Sequence, residues 1–417
     1  MRPVDLSPIS ADSQTQRPFD LFLIFAGANI VATTLQVGAS LPPGLGIGHS
    51  LVIIGAGAVA GAALVAALAP IGTQLRVPSI VAARAVLGFS GAQTLALLLF
   101  LTNFAWIALN NVIAASITVR LTGIGSVGLW ATALGVLATL VVLGGPHAVA
   151  IVDRVAVPLL AVSGAVFTIA CLRVPWPATT QELTLTAADT FRGLDIVAGY
   201  QVTWLLMFAD YPRFVRSARG AGVAVFLGLA LTALWFMPLG FIASIAAQSA
   251  DPGAMVAAVG IGWWGAVLLA LATLTTNFVN IYMSALAFKS LMPSVPDSPA
   301  VWLIGGVGAA LGLLSTRWIE QFANLTLLLA GAFVPIGGIL LAHYFVLRYY
   351  VDVPSLYAAD GPYRTNHGWS RAGTVAWIGG AVVFYATQRI GASLPTLAAS
   401  ILIYVLLARR LQQLEQR

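Results

Sequence analysis

Gly27-Ala-Asn-Ile-Val-Ala-Thr-Thr-Leu-Gln-Val-Gly38 sits inside an apolar run of about residues 20–44. The flanks suit a membrane-spanning helix, but the middle carries Asn29, Thr33, Thr34 and Gln36. An amide left unpaired in hydrocarbon is costly, so polar groups at mid-depth mark a helix that meets a ligand, an ion or a partner helix. Gly and Thr alone usually serve close helix packing. Four polar residues in one span go further and predict an interrupted helix, whose freed backbone groups bind something. A second stretch, Gly199-Tyr-Gln-Val-Thr-Trp-Leu-Leu-Met-Phe-Ala-Asp-Tyr-Pro212, has similar composition and lies five spans later. That spacing is expected of two inverted-topology repeats of five helices.

The rest of the chain agrees. Of 417 residues, 59% are hydrophobic and 8% charged, with mean hydropathy +0.93, whereas soluble domains carry about a quarter charged residues. Marking apolar runs between turn and charge signals gives twelve spans: 20–44, 49–71, 93–119, 124–145, 155–174, 191–210, 221–247, 260–287, 299–316, 322–347, 372–388 and 391–409. The expected architecture is an all-α polytopic membrane protein. A tail (1–19) leads into a ten-helix core (20–348, repeats about 20–174 and 191–348), followed by a loop (349–371), two last helices (372–409) and a tail (410–417).

Of the 20 Lys and Arg residues, all but Arg120, Arg173, Arg192, Arg317 and Arg389 fall on the side of the N-terminus. The asymmetry places both termini in the cytoplasm of a plasma-membrane protein. The residues 1–17 lack the order of a cleavable signal, so the first helix is retained. The basic residues form no stripe, which argues against nucleic acid despite a pI of about 9.8. One cysteine, Cys171, and four scattered histidines offer neither a disulfide framework nor a zinc or haem site. No cofactor and no obligate protein partner are expected.

Three groups of polar residues are candidates for a central site. In the third span Asn103, Trp106 and Asn110 are spaced i, i+3, i+7 and share one helix face. An aromatic plane between two amides suits a flat heterocycle, since the ring stacks and the amides both donate and accept. The bland alternative is a packing tryptophan with asparagines bonding neighbouring helices. In the eighth span Thr273, Thr275, Thr276, Asn277, Asn280 and Tyr282 fall within ten residues. Neutral hydroxyls and carbonyls beside an unwound helix suit an alkali cation, while bonding back to the preceding turn is the alternative, above all for Thr273. In the sixth stretch Tyr200, Gln201 and Thr203 are the polar groups at depth.

No Asp or Glu lies deep in an apolar run, and proton relays usually need one. Asp210 and His343, at helix ends, are the nearest candidates, so Na⁺ is expected rather than H⁺ as the coupling ion. Asp210-Tyr-Pro-Arg213 also has a structural reading, an exposed ion pair holding a turn. The runner-up is an amino-acid carrier of the same architecture, although its carboxylate would want bare amides at a Gly-rich break and here the breaks are lined with Asn, Thr, Gln and Tyr. A channel would want charged rings or a filter loop, and an enzyme would want paired catalytic groups within the spans; neither pattern is present.

Four segments carry a resemblance: Gly27-Ala-Asn-Ile30; Val77-Pro-Ser-Ile-Val-Ala-Ala-Arg84 with Leu87-Gly-Phe-Ser-Gly91; Ala209-Asp-Tyr-Pro-Arg-Phe214; and Thr275-Thr-Asn277 with Asn280-Ile-Tyr282. In this order the chain resembles the nucleobase:cation symporter-1 family of purine, cytosine, allantoin and hydantoin permeases, with the bacterial cytosine permeases nearest. The resemblance implies twelve helices with the leucine-transporter-type five-plus-five repeat, alternating access and an inward Na⁺ gradient; an H⁺-coupled nucleobase, hydroxymethylpyrimidine or allantoin permease is the alternative. By position it implies Na⁺ on the carbonyls of Gly27, Ile30 and Ala272 and the hydroxyls of Thr275 and Thr276. It implies a substrate stacked on Trp106, bonded by Asn103 or Asn110, Gln201, and Asn277 or Asn280. Family members often place a second aromatic where this chain has Gln201, so Tyr200 or Trp204 supplies the second face, or an edge is bonded instead.

Overall fold

A computed structural model describes residues 6–42, 45–174, 186–314 and 316–415. Each of the twelve predicted spans coincides with helix. The principal helices are α1, a bent pair of α1a (Pro18–Asn29) and α1b (Ala32–Ala39); α2 (Ile47–Leu75); α3 (Arg84–Thr122); α4 (Val127–Leu143); α5 (Gly145–Arg173); and α6 (Ala187–Val202). The second half has α7 (Ala218–Ala247), α8 (Gly262–Leu291), α9 (Asp297–Leu311), α10 (Phe322–Leu341), α11 (Arg371–Thr387) and α12 (Ser393–Glu415). Among the described residues seven helices are long and apolar enough to cross a bilayer alone, or eight with the bent pair as one span.

The break in α1 has a local cause and a local repair. Ile30 and Val31 leave helical geometry (φ −84°, ψ 69° and φ −142°, ψ 163°), and the two halves bend by 59°. Thr34 Oγ1 donates to the Asn29 carbonyl at 2.6 Å, while Asn29 Nδ2 donates to Leu229 O (3.2 Å) and Thr232 Oγ1 (2.8 Å) on α7. Backbone irregularity is tolerated at this depth because neighbouring side chains satisfy the freed groups. Two glycines bring α1b and α7 backbone to backbone: a Cβ on Gly38 would overlap the Met237 carbonyl, and one on Gly240 the Leu35 carbonyl.

Helix pairings carry the repeat. α1 packs on α7 and α6 on α2, the contacts that exchange when the first five helices are swapped for the second five. Pairs α3–α9 and α4–α8 exchange likewise, while α2–α7, α3–α8 and α4–α9 map onto themselves. The pair α11 and α12 stands outside this scheme and packs on α10.

In the sixth stretch the α-helix ends at Val202 and the chain tightens into a 3₁₀ turn over Thr203–Met207, with Thr203 Oγ1 bonded to the Tyr200 carbonyl at 2.7 Å. The helix α8 is continuous. Other features differ from expectation. The third span starts earlier than expected, because α3 passes through a joint at Gly88 (φ 78°). A Cβ there would strike the Gly368 carbonyl, so the connection before α11 docks on this joint, and Ser370 N bonds Leu87 O at 2.9 Å. A short helix, Pro252–Val259, was not anticipated; Asp251 caps it by accepting from Ala254 N at 2.7 Å.

Acidic residues also differ from expectation. Asp195 is buried in α6 at 3% exposure, and its carboxylate accepts from Ala392 N (2.7 Å), Ser393 N (2.9 Å) and Ser393 Oγ (2.7 Å) at the start of α12. Asp210 and Arg213 are likewise buried rather than an exposed pair. Asp210 accepts from Ser79 Oγ at 2.5 Å, and that oxygen accepts from Ala209 N at 2.9 Å, so two of the four quoted sequence segments touch. The polar segment before α1 packs against the same end of the bundle. Gln14 Nε2 donates to the carbonyls of Thr73 (2.9 Å), Arg213 (3.1 Å) and Val215 (3.2 Å).

Candidate functional site

Where the break in α1 faces α3, α6, α8 and α10, the helices leave a partly open cavity. Its wall includes Asn103, Trp106 and Asn110 from α3, Tyr200, Thr203 and Trp204 from the end of α6, Thr276 and Asn280 from α8, and Thr33 from α1b. Leu99, Leu206, Met207, Met283 and Phe333 supply apolar surface. Among the described residues no charged side chain lines it.

Most of the predicted substrate residues are thus brought together, and two are not. Gln201 is fully buried away from the cavity, its Nε2 bonded to the Leu229 carbonyl of α7 at 3.2 Å. A Cβ on Gly61 of α2 would lie 2.7 Å from the Gln201 Cβ, so the side chain is wedged between two helices. Asn277 is also fully buried; its Nδ2 donates to Ile107 O (3.2 Å) and Asn111 Oδ1 (2.7 Å) on α3. These two amides bond neighbouring helices. The Thr273 hydroxyl bonds back to Leu269 O at 2.9 Å.

The aromatic rings form a connected corner. Trp106 meets Tyr200 edge to face, with centroids 5.9 Å apart and planes at 73°, and Phe322 at the start of α10 touches both, at 6.2 and 6.4 Å. The Tyr200 hydroxyl lies 2.9 Å from Thr34 Oγ1 and 3.3 Å from Thr33 Oγ1. Trp204 leans on Phe25 of α1a, 6.2 Å away. Three buried polar atoms on lining residues have no hydrogen-bond partner: Asn103 Nδ2, Asn110 Oδ1 and Trp204 Nε1. Buried polar atoms are normally paired, so one acceptor and two donors are left at the wall.

Of the predicted cation residues, Gly27 and Ile30 flank the end of α1a, and Thr275 and Thr276 lie mid-way along α8, which packs against α1b. Thr276 is buried at the cavity wall and Thr275 is half-buried. Ala272 lies on α8 one turn earlier, and its side chain is outside the described residues. Sequence reading missed Thr102 as a lining group, and it missed Asn111. The doublet Asn110-Asn111 was the available signal, since adjacent helical residues point about 100° apart and one of them must face away from the cavity.

Comparison with known proteins fits this geometry. Residues 8–404 match the family described as permeases for cytosine/purines, uracil, thiamine and allantoin. The chain is 24% identical over 383 residues to the putative purine-cytosine permease YxlA of Bacillus subtilis, covering 86% of this chain and 80% of that one. It is 25% identical over 342 residues to the cytosine permease of Escherichia coli K12, covering 79% and 78%. In three dimensions it resembles Mhp1, a nucleobase-cation-symport-1 family transporter, closed with bromovinylhydantoin bound; the TM-score is 0.81 at 18% identity, over 98% of this chain and 95% of that one. The inward-facing conformation of Mhp1 matches with the same score at 19% identity. The fold, the cavity at its centre and a family match over nearly the whole length converge: this chain is a multi-pass membrane transporter belonging to the cytosine/purine, uracil, thiamine and allantoin permeases, the nucleobase:cation symporter-1 family.

Proposed function

We propose that the protein imports a neutral nucleobase or closely related flat heterocycle together with Na⁺, by alternating access across the plasma membrane with both termini inside. The observation that carries this reading is the cavity wall, where tryptophan surface is combined with unpaired buried amide atoms and no charge. A planar, uncharged ring with donors and acceptors on its edge satisfies both features. A carboxylate-bearing amino acid would find no cationic side chain there.

Trp106 supplies the stacking face. A ring held between two aromatics needs about 3.5 Å on each side, and the edge-on contact of Trp106 with Tyr200 leaves no such gap. Trp204 is therefore the second face, and Tyr200 closes the end of the slot. Asn103, Asn110 and Asn280 read the ligand edge, with Thr203 beside them. Gln201 and Asn277 act behind the wall. The relatives described as cytosine and purine-cytosine permeases support a substrate of this class.

Na⁺ is taken by the carbonyls of Gly27, Ile30 and Ala272 with the hydroxyls of Thr275 and Thr276. Neutral oxygens at a helix break suit a hard monovalent cation, and the absence of Asp, Glu or His from the cavity wall favours Na⁺ over H⁺. Transport follows from movement of the two five-helix repeats (about 20–174 and 191–348) around this fixed site.

The test is thermal stabilisation of detergent-purified protein by cytosine, uracil, adenine, hypoxanthine, allantoin and hydantoin, each in Na⁺ and in choline. A ligand that binds the native state raises Tm by mass action. Stabilisation by a heterocycle in Na⁺ and not in choline is expected. Equal shifts in choline would remove the Na⁺ assignment, and stabilisation only by amino acids would overturn the substrate class.

A further inference from the structure

Away from the cavity, the Phe89 ring of α3 has a guanidinium against it from two parts of the chain. Arg364, in the connection before α11, has its Cζ 3.6 Å from the ring centre, and Arg84, at the start of α3, has its Cζ at 4.7 Å. An aromatic face attracts cations, but two cations at one ring repel each other. Among the described residues neither has a carboxylate within ion-pair distance; the ion pair there joins Lys289 and Asp297. The acids of the same connection are turned to other work or to solvent. Asp352 accepts from Ser355 N and Oγ, and Asp360 is exposed without a salt bridge.

Arg84 is the sharper case. It is buried at 8% exposure, and a buried charge is normally paired. Its Nη1 donates to the Leu356 carbonyl at 2.9 Å, and the Tyr357 ring lies 5.6 Å from its Cζ. A guanidinium carries five N–H donors and no acceptor, so one carbonyl leaves most of them over. Among the described residues' sealed polar atoms without a partner, none belongs to Arg84; its spare donors are therefore reachable from outside. The backbone around the pair is pinned. Ser370 N bonds Leu87 O at 2.9 Å and Ser90 Oγ donates to His367 O at 2.8 Å, which lays the connection along the Gly88 joint. Trp369, 36% exposed, packs beside Gly91, and tryptophans of this kind mark the headgroup level of a bilayer.

We infer that Arg84 and Arg364 form a binding site for a phosphate group, carried by an anionic lipid headgroup or free in solution, which bridges the two guanidiniums and fastens the 349–371 connection to the joint in α3. Both distances run to one ring centre, so the guanidinium carbons are no more than about 8 Å apart, a span that one phosphate with a fork of hydrogen bonds to each side can bridge. The planar guanidinium matches phosphate oxygens two at a time, and basic pockets at the membrane surface take lipid headgroups. The bound anion removes the repulsion and uses donors that the protein leaves open. None of these side chains lines the central cavity, so the site stands whatever the cavity binds.

The experiment follows the melting of full-length, detergent-purified protein during titration with dioctanoyl phosphatidylglycerol, dioctanoyl phosphatidylcholine or sodium phosphate, each against sodium chloride of equal ionic strength. A ligand of the native state raises Tm by mass action. Phosphatidylglycerol is expected to raise Tm by a few degrees, and phosphatidylcholine, whose phosphate is neutralised within its own headgroup, by clearly less. Arg84→Gln and Arg364→Gln are each expected to raise the half-saturating concentration by about tenfold or more, while Arg389→Gln, at the far end of α11, leaves it unchanged. Arg364 is exposed, so its variant keeps the test open should Arg84→Gln not fold. A response to phosphatidylglycerol alone assigns the site to a lipid, and a response to sodium phosphate as well shows that the free ion suffices; either supports the inference. No stabilisation beyond chloride, equal stabilisation by phosphatidylcholine, or an unchanged half-saturation in Arg364→Gln overturns it.

Discussion

The Tyr200 hydroxyl lies 2.9 Å from Thr34 Oγ1, so a side chain of α6 is bonded to the first turn after the break in α1. Thr34 in turn donates to the Asn29 carbonyl across that break. The two helices that the repeat makes equivalent are thereby coupled directly at the cavity. Tyr200→Phe removes the hydroxyl's bonds to Thr34 and Thr33, about 0.5–1.5 kcal/mol each, and is expected to weaken heterocycle binding by roughly 5- to 150-fold without unfolding the protein. Isothermal titration of the variant checks this, and an unaltered Kd would show that the bond does not shape the site.

Trp106→Ala takes away the stacking face. Base–aromatic stacking contributes about 1–3 kcal/mol, so affinity should drop by roughly 5- to 150-fold while the melting transition stays cooperative. Retained affinity in a titration of purified protein would exclude Trp106 from the binding surface.

Thr276→Ala removes a neutral oxygen from the proposed cation set and leaves the aromatic slot intact. The Na⁺ concentration needed for half-maximal heterocycle binding should rise by about tenfold or more. An identical Na⁺ titration in the variant would sink the assignment of this hydroxyl to the ion.

Asp195→Ala leaves the amides of Ala392 and Ser393 without their acceptor. Unsatisfied buried groups cost about 1–3 kcal/mol each, so a fall in Tm of several degrees is expected, with a smaller fall for Ser393→Ala, which removes only a hydroxyl donor. Equal Tm values for wild type and Asp195→Ala would deny the carboxylate a structural role.

The sequence made the break in α1 legible because its polar run has no other economical explanation in hydrocarbon. Helical spacing put Asn103, Trp106 and Asn110 on one face, and the structure places that face on the cavity. Gln201 and Asn277 show the limit: an amide facing a ligand and an amide bridging two helices have the same composition signature, and only the partners Leu229, Ile107 and Asn111 separate them. Asp195 escaped for a similar reason, since the groups that make its burial tolerable lie 197 and 198 residues further along the chain. Gly88 stood in the sequence only as part of the segment Leu87–Gly91; its positive φ and the docked Gly368 are tertiary facts.

The bond from Asp195 to the start of α12 also bears on how the molecule is made. Chains enter the membrane from the N-terminus as they are synthesised, so α6 is inserted long before Ala392 and Ser393 exist. Until then its carboxylate lacks the donors that hold it in the finished protein. Only when the final hairpin leaves the ribosome can the middle of the protein acquire its finished electrostatics, which makes the last two helices the closing step of biogenesis for a site they never touch.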